Sequence, residues 1–80
     1  MTVTALLFAS YADAFGSPSI ELALRPGATI ADAVASLRAL PGGASLPPAP
    51  VVAVNLAYAD ASRVLEPGDE VAFIPPVAGG

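Results

Sequence analysis

The chain has 80 residues, room for one domain with one modest core, since a chain of this size buries about 60–65% of its unfolded surface on folding. It contains no cysteine, histidine or lysine, which excludes disulfides, Ser-His-Asp and Cys-His catalysis, nearly every zinc site, a Schiff base and a Walker-type phosphate lysine. The net charge is −4, with Arg25, Arg38 and Arg63 as the only basic residues, so phosphate neutralisation and nucleic-acid binding are excluded and a basic protein partner is favoured.

The first element is "VTALLFA", Val3 to Ala9, an alternating strand with Val3, Ala5 and Leu7 on one face and Thr4, Leu6 and Phe8 on the other. "SYADAFG" predicts a short helix closed by Gly16. "SIELAL" predicts a second strand, with Ile20, Leu22 and Leu24 on one side and Glu21 on the other, and the short connection makes the two strands an antiparallel pair. After the turn "RPGAT" comes the main helix, Thr29–Leu40. Thr29 is its N-cap and Asp32, three residues on, completes a capping-box pattern. Ile30, Ala33, Val34 and Leu37 form its apolar stripe, and Pro41-Gly42-Gly43 stops it.

The stretch from Ala39 to Ala59 carries no charge, but Pro41, Pro47, Pro48 and Pro50 prevent it from running as a membrane-spanning helix. The N-terminus lacks the basic region of a signal peptide, so a soluble cytoplasmic protein is expected, with no membrane partner. Within that stretch "ASLPPAP" reads as a loop and "VVAVN" as a third strand buried on both sides. "LAYADASRVL" is irregular, with room for one short strand. "EPGD" is a turn in which Gly68 takes positive φ. "EVAFIP" is the last strand, with Val71 and Phe73 facing one way and Ala72 and Ile74 the other.

The order strand, strand, helix, strand, strand predicts an α+β fold of the β-grasp (ubiquitin-like) kind. A mixed sheet of four to five strands should carry one main helix across one face. Residues 1–74 form the domain and residues 75–80 an extended tail. The expected core is Leu7, Leu22, Ile30, Val34, Leu37, Val52, Val54, Val71 and Phe73. Arg25, Arg38, Arg63 and the pair Asp69–Glu70 read as surface, turn or solvated positions, and Tyr11 and Tyr58 as packing residues.

"LLFASYADAFG", "GATIADAVASL", "VAVN" and above all "LEPGDEVAFIPPVAGG" resemble the small subunit of molybdopterin synthase, the MoaD family, over nearly the whole chain. The chain departs from that pattern at Tyr11-Ala12-Asp13, where many members carry Arg-Glu, and in its proline-rich loop 41–50. The resemblance implies a ubiquitin-like sulfur carrier. A partner adenylating enzyme would activate the carboxylate of Gly80 with ATP, and a sulfur donor protein would convert it to a thiocarboxylate. The tail would then enter a large subunit, in a heterotetramer, whose pocket holds cyclic pyranopterin monophosphate and builds the molybdopterin dithiolene. The chain itself would be a non-catalytic sulfur-donor subunit, binding no metal and no permanent cofactor.

The residues suit that role. Gly79 and Gly80 have no Cβ to obstruct a narrow channel. Pro75 and Pro76 stiffen the exit from the last strand, and Val77 and Ala78 complete a tail that reaches roughly 20 Å when extended. If Leu7 and Phe73 face the helix, then Leu6, Phe8 and Ile74 face away and form an apolar patch suited to a partner. Two other readings use the same residues: a sulfur carrier for thiamine, cysteine or tRNA thiolation, and a non-catalytic β-grasp binding module that conjugates to, or merely docks on, proteins.

Overall fold

The computed structural model describes residues 1–76. The elements are β1 (Thr2–Leu7), α1 (Ala9–Phe15), β2 (Ser19–Ala23), α2 (Ile30–Arg38), a 3-10 turn (Gly43–Ser45), β3 (Val51–Val54), β4 (Ala57–Ala59) and β5 (Glu70–Ile74). They form one five-stranded sheet in the order β2-β1-β5-β3-β4. The central pair β1–β5 is parallel and every other pair is antiparallel. This is the β-grasp architecture that the alternating strands and the single long amphipathic helix predict.

The alternation sends one set of side chains inward. Val3, Ala5 and Leu7 of β1, Leu22 of β2, Val52 and Val54 of β3, and Val71 and Phe73 of β5 meet Ile30, Ala33, Val34 and Leu37 of α2 in one buried cluster. All nine residues expected in the core are there, joined by Leu24, Leu46, Leu65 and Tyr11. Helix α2 begins with a complete capping box: the Asp32 carboxylate accepts from the Thr29 backbone N–H at 2.8 Å, and the Thr29 hydroxyl oxygen accepts from the Asp32 N–H at 3.4 Å. The backbone hydrogen bond from Thr29 is the main reason that the Asp32 carboxyl lies below its ordinary range, with the Arg25 guanidinium, 3.6 Å away, adding to it.

Five expectations are corrected. The helix ends at Arg38 rather than Leu40, because the chain tightens there and Leu40 donates to the Leu37 carbonyl at 3.0 Å. The following loop then presses against the helix end so closely that a Cβ on Gly43 would collide with the carbonyls of Leu37 and Arg38. Arg38 is not merely solvated: its Nε donates to the Leu46 carbonyl at 3.0 Å, beside the fully buried Leu46 side chain. The first strand stops at Leu7 rather than Ala9, since Ala9, at φ 47°, turns the chain into α1 and lets Tyr11 reach the core. Strand β3 is not buried on both sides: Val52, Ala53 and Val54 are, but Val51 is 53% exposed. Tyr58 packs in no core and is 78% exposed.

The β3–β4 hairpin turns on two residues, Asn55 at φ 49° and Leu56 at φ 73°. Two successive positive φ values are the mark of a type I′ connection, whose favoured sequence is Asn-Gly. Asn55 fits and is held: its amide donates to the Asp69 carboxylate at 3.0 Å and its carbonyl accepts from the Glu70 N–H at 3.0 Å. Asp69, itself buried, also accepts from the Glu66 N–H at 2.8 Å, so one carboxylate ties the β3–β4 turn to the turn before β5. Leu56 does not fit. It is 98% exposed and has no packing to offset its strained backbone.

Two stability outcomes follow from these placements. Leu37→Ala empties a site in the centre of the core and should cost roughly 2–5 kcal/mol on denaturant unfolding. Leu56→Gly should raise stability by roughly 0.5–1 kcal/mol in the same measurement, because relief of a left-handed leucine outweighs the added freedom of glycine in the unfolded chain.

Candidate functional site

With α2 on the inner face, the alternate side chains of the strands, those not in the core, define the outer one. Strand register arranges them in rows. Leu6 on β1, Ala72 on β5, Ala53 on β3 and Tyr58 on β4 lie side by side. Ile74 pairs with Val51 in the next row. Phe8 follows β1 with extended backbone (φ −119°, ψ 150°), which keeps it on the face of Leu6 at that same end. Leu6, Ala72 and Ile74 are half-buried, while Phe8 is 49% exposed. The structure thus brings Leu6, Phe8 and Ile74 to one face, and adds Val51 and Tyr58 to them.

Those two additions were missed for different reasons. The alternation of "VVAVN" could have separated Val51 from Val52, but the run is apolar throughout and the pattern is silent. Tyr58 is on this face only because Ala53 pairs with it, a register that the hairpin sets and the local sequence does not.

The tail leaves from the apolar end of this face. Pro75, half-buried, and Pro76, exposed, follow Ile74 directly. Val77, Ala78, Gly79 and Gly80 lie outside the described residues. The titratable groups with displaced pKa serve structure elsewhere. Burial pushes the Tyr11 phenol up, and the Ser62 hydroxyl and N–H hold the Asp60 carboxyl down. Among the described residues no cluster of three or more acidic side chains could hold a metal ion, and no helix is long and apolar enough to cross a membrane.

A parallel pair of first and last strands inside a five-stranded sheet, with a helix across one face, defines a ubiquitin-like β-grasp protein. More narrowly, the chain belongs to the ThiS family, whose profile matches residues 5–80. Its fold is the sulfur-carrier fold of the ThiS and MoaD type. The structure is similar to SAMP1 from Haloferax volcanii, at 27% identity and TM-score 0.87 over 100% of both chains. It is similar to a putative molybdopterin converting factor subunit 1 from Pyrococcus furiosus, at 24% identity and TM-score 0.82 over 96% of this chain and 99% of that one. It also matches a chain in the complex of subunits 1 and 2 of molybdopterin-converting factor from Helicobacter pylori, at 21% identity and TM-score 0.74 over 100% of both chains. The last two, below 25% identity, speak for the fold alone. No curated protein matches the chain.

The outer position of Phe8 has a direct consequence for stability. Phe8→Glu should change the free energy of unfolding by less than about 1 kcal/mol, as surface substitutions do. A loss of several kcal/mol in denaturant titration would place Phe8 in the core instead.

Proposed function

We propose that this chain is the sulfur-carrying small subunit of a molybdopterin synthase, with the carboxylate of Gly80 as the group that carries the sulfur. The observation that carries the reading is the run "GDEVAFIPPVAGG". Its first part forms β5, in the middle of the sheet, and its prolines begin the tail beside an exposed apolar face. Membership of the ThiS family supports a sulfur carrier. The Pro-Pro pair before the glycines favours molybdopterin over thiamine chemistry.

A carboxylate is a poor electrophile, so a partner enzyme must first join it to AMP from ATP, releasing pyrophosphate. A persulfide on a donor protein then attacks the acyl carbon and AMP departs; a thiol cleaves the S–S bond of the resulting acyl disulfide, so that the thiocarboxylate leaves and the thiol is oxidised to a disulfide with the donor's sulfur. What this chain contributes is position. The central strand fixes the root of the tail, Pro75 and Pro76 hold it extended, and Gly79 and Gly80 let it pass a narrow channel. Holding the reacting carboxylate in line is worth several kcal/mol to each step. The outer face, with Leu6, Phe8 and Ile74, seats the chain on its large subunit; the Helicobacter pylori protein of the same fold is in a complex of subunits 1 and 2.

A second reading is favoured by the likeness to SAMP1, another structure of which is described as small archaeal modifier protein 1. In that reading the activated carboxylate is transferred to an amine of a target protein. Incubation with activating enzyme, ATP and a sulfur donor, followed by intact mass, separates the two: a gain of one sulfur in place of oxygen marks the carrier, and a covalent protein adduct marks the modifier.

Deletion of Gly80 should leave thermal melting unchanged and abolish sulfur delivery. It draws the carboxylate back by about 3.3–3.6 Å, and a misplacement of 1 Å can cost about a hundredfold. Gly79→Val keeps the carboxylate but should block the channel, lowering molybdopterin formation from the cyclic precursor at unchanged stability. Normal delivery by the chain lacking Gly80 would refute the assignment.

A further inference from the structure

The outer face is not uniform along the strands. Toward the tail it is apolar, as described. Four residues back from Ile74 along β5, the face changes character. Glu70 pairs with Thr4, and Thr4 pairs with Glu21, so a row Glu21–Thr4–Glu70 crosses three neighbouring strands. Both glutamates are exposed and Thr4 is half-buried. Asn55 borders the row beyond Glu70, through the two hydrogen bonds its backbone N–H and side-chain carbonyl make with that residue.

No paired strand contains a basic residue: Arg25, Arg38 and Arg63 lie in α2 and the loops. Among the described residues the one ion pair is Arg25–Asp32, which engages neither glutamate. The backbone positions of the two glutamates stand about 10 Å apart, two strand spacings, and the row lies about 13 Å back from Ile74, four residues along a strand. A face that is apolar at one end and anionic at the other has a direction.

We propose that this gradient orients the docked partner. The apolar rows, Leu6, Phe8, Ile74, Val51 and Tyr58, pack on an apolar patch of the large subunit, while Glu21 and Glu70 meet two basic side chains of that subunit. Those basic groups lie on the side away from the channel that takes the tail. The inference rests on the reading of the chain as a carrier that docks through its outer face, and adds to it the chemistry and the direction of the partner surface. Rotating the chain by half a turn on that surface would set two carboxylates against apolar atoms, where unpaired charge is strongly disfavoured. The tail would then point away from its channel. Complementary charges at the edge of an apolar contact act in this way on register and association rate more than on final affinity.

The test uses the full chain and the purified large subunit, with Kd and association rate measured at low and high salt. At low salt Glu21→Gln together with Glu70→Gln should weaken binding by about 3- to 10-fold, mostly in association rate. The difference should shrink at about 0.5 M salt, where exposed charges are screened. Glu21→Arg with Glu70→Arg should weaken it further. Asp13→Asn, which removes an exposed charge on α1 outside this face, should have little effect, and all variants should melt with the unaltered chain. The proposal is overturned if the Gln pair binds normally with an unchanged salt dependence while Phe8→Glu abolishes binding: the face then docks without using its acids. It is also overturned if Asp13→Asn matches the effect of Glu21→Gln or Glu70→Gln alone, since net charge rather than position would then be responsible. If Phe8→Glu also binds normally, the docking face itself is wrong, and the failure belongs to the underlying reading.

Discussion

The parallel pairing of β1 with β5 is the contact on which the rest of the molecule depends. It joins the two ends of the domain across every intervening element, because parallel strands cannot be joined by a tight turn. The pairing aligns Ala5 with Val71 and Leu7 with Phe73, four of the most deeply buried residues. The same register decides what lies outside, since it sets Leu6 beside Ala72 and Thr4 beside Glu70. A slip of one residue would exchange the two faces of β5, sending Phe73 to solvent.

Central placement of β5 also explains how a short tail can be aimed. A terminal segment leaving an edge strand starts from a flank with one neighbour. This one starts from a strand hydrogen-bonded on both sides, by β1 and β3. Its root is therefore as rigid as the core, and the proline pair extends that rigidity outward. If Gly80 carries the sulfur, as proposed, a fixed root matters as much as the glycines before the end.

The loops divide into those that serve this sheet and one that does not. Asp69 ties Asn55 and the Glu66 amide together and so sets the start of β5 against the β3–β4 turn. Gly43 and Leu46 pin the proline-rich loop to the end of α2, and Pro47 to Ala49 beyond them are exposed. Leu56 is the exception, a fully exposed leucine in a backbone conformation that favours glycine. Nothing in the structure explains it.

The sequence by itself determined the elements that depend on near neighbours. The capping box at Thr29 and Asp32, the helical stripe from Ile30 to Leu37, the alternation in β1 and β5, and the positive φ of Gly68 all rest on residues within a few positions of one another. It also carried the tail motif and, through alternation, the outward side of Leu6, Phe8 and Ile74. Only the tertiary structure decided which strands are neighbours. That brought Val51 and Tyr58 to the apolar face, made a row of Glu21, Thr4 and Glu70, left one side of an apolar strand uncovered, and turned Asp69 and Arg38 from surface residues into ties between segments. The reason is that period and propensity are local, whereas a row across a sheet is assembled from strands far apart in the chain. Its composition is fixed by the register of their hydrogen bonds, which no single stretch of sequence contains.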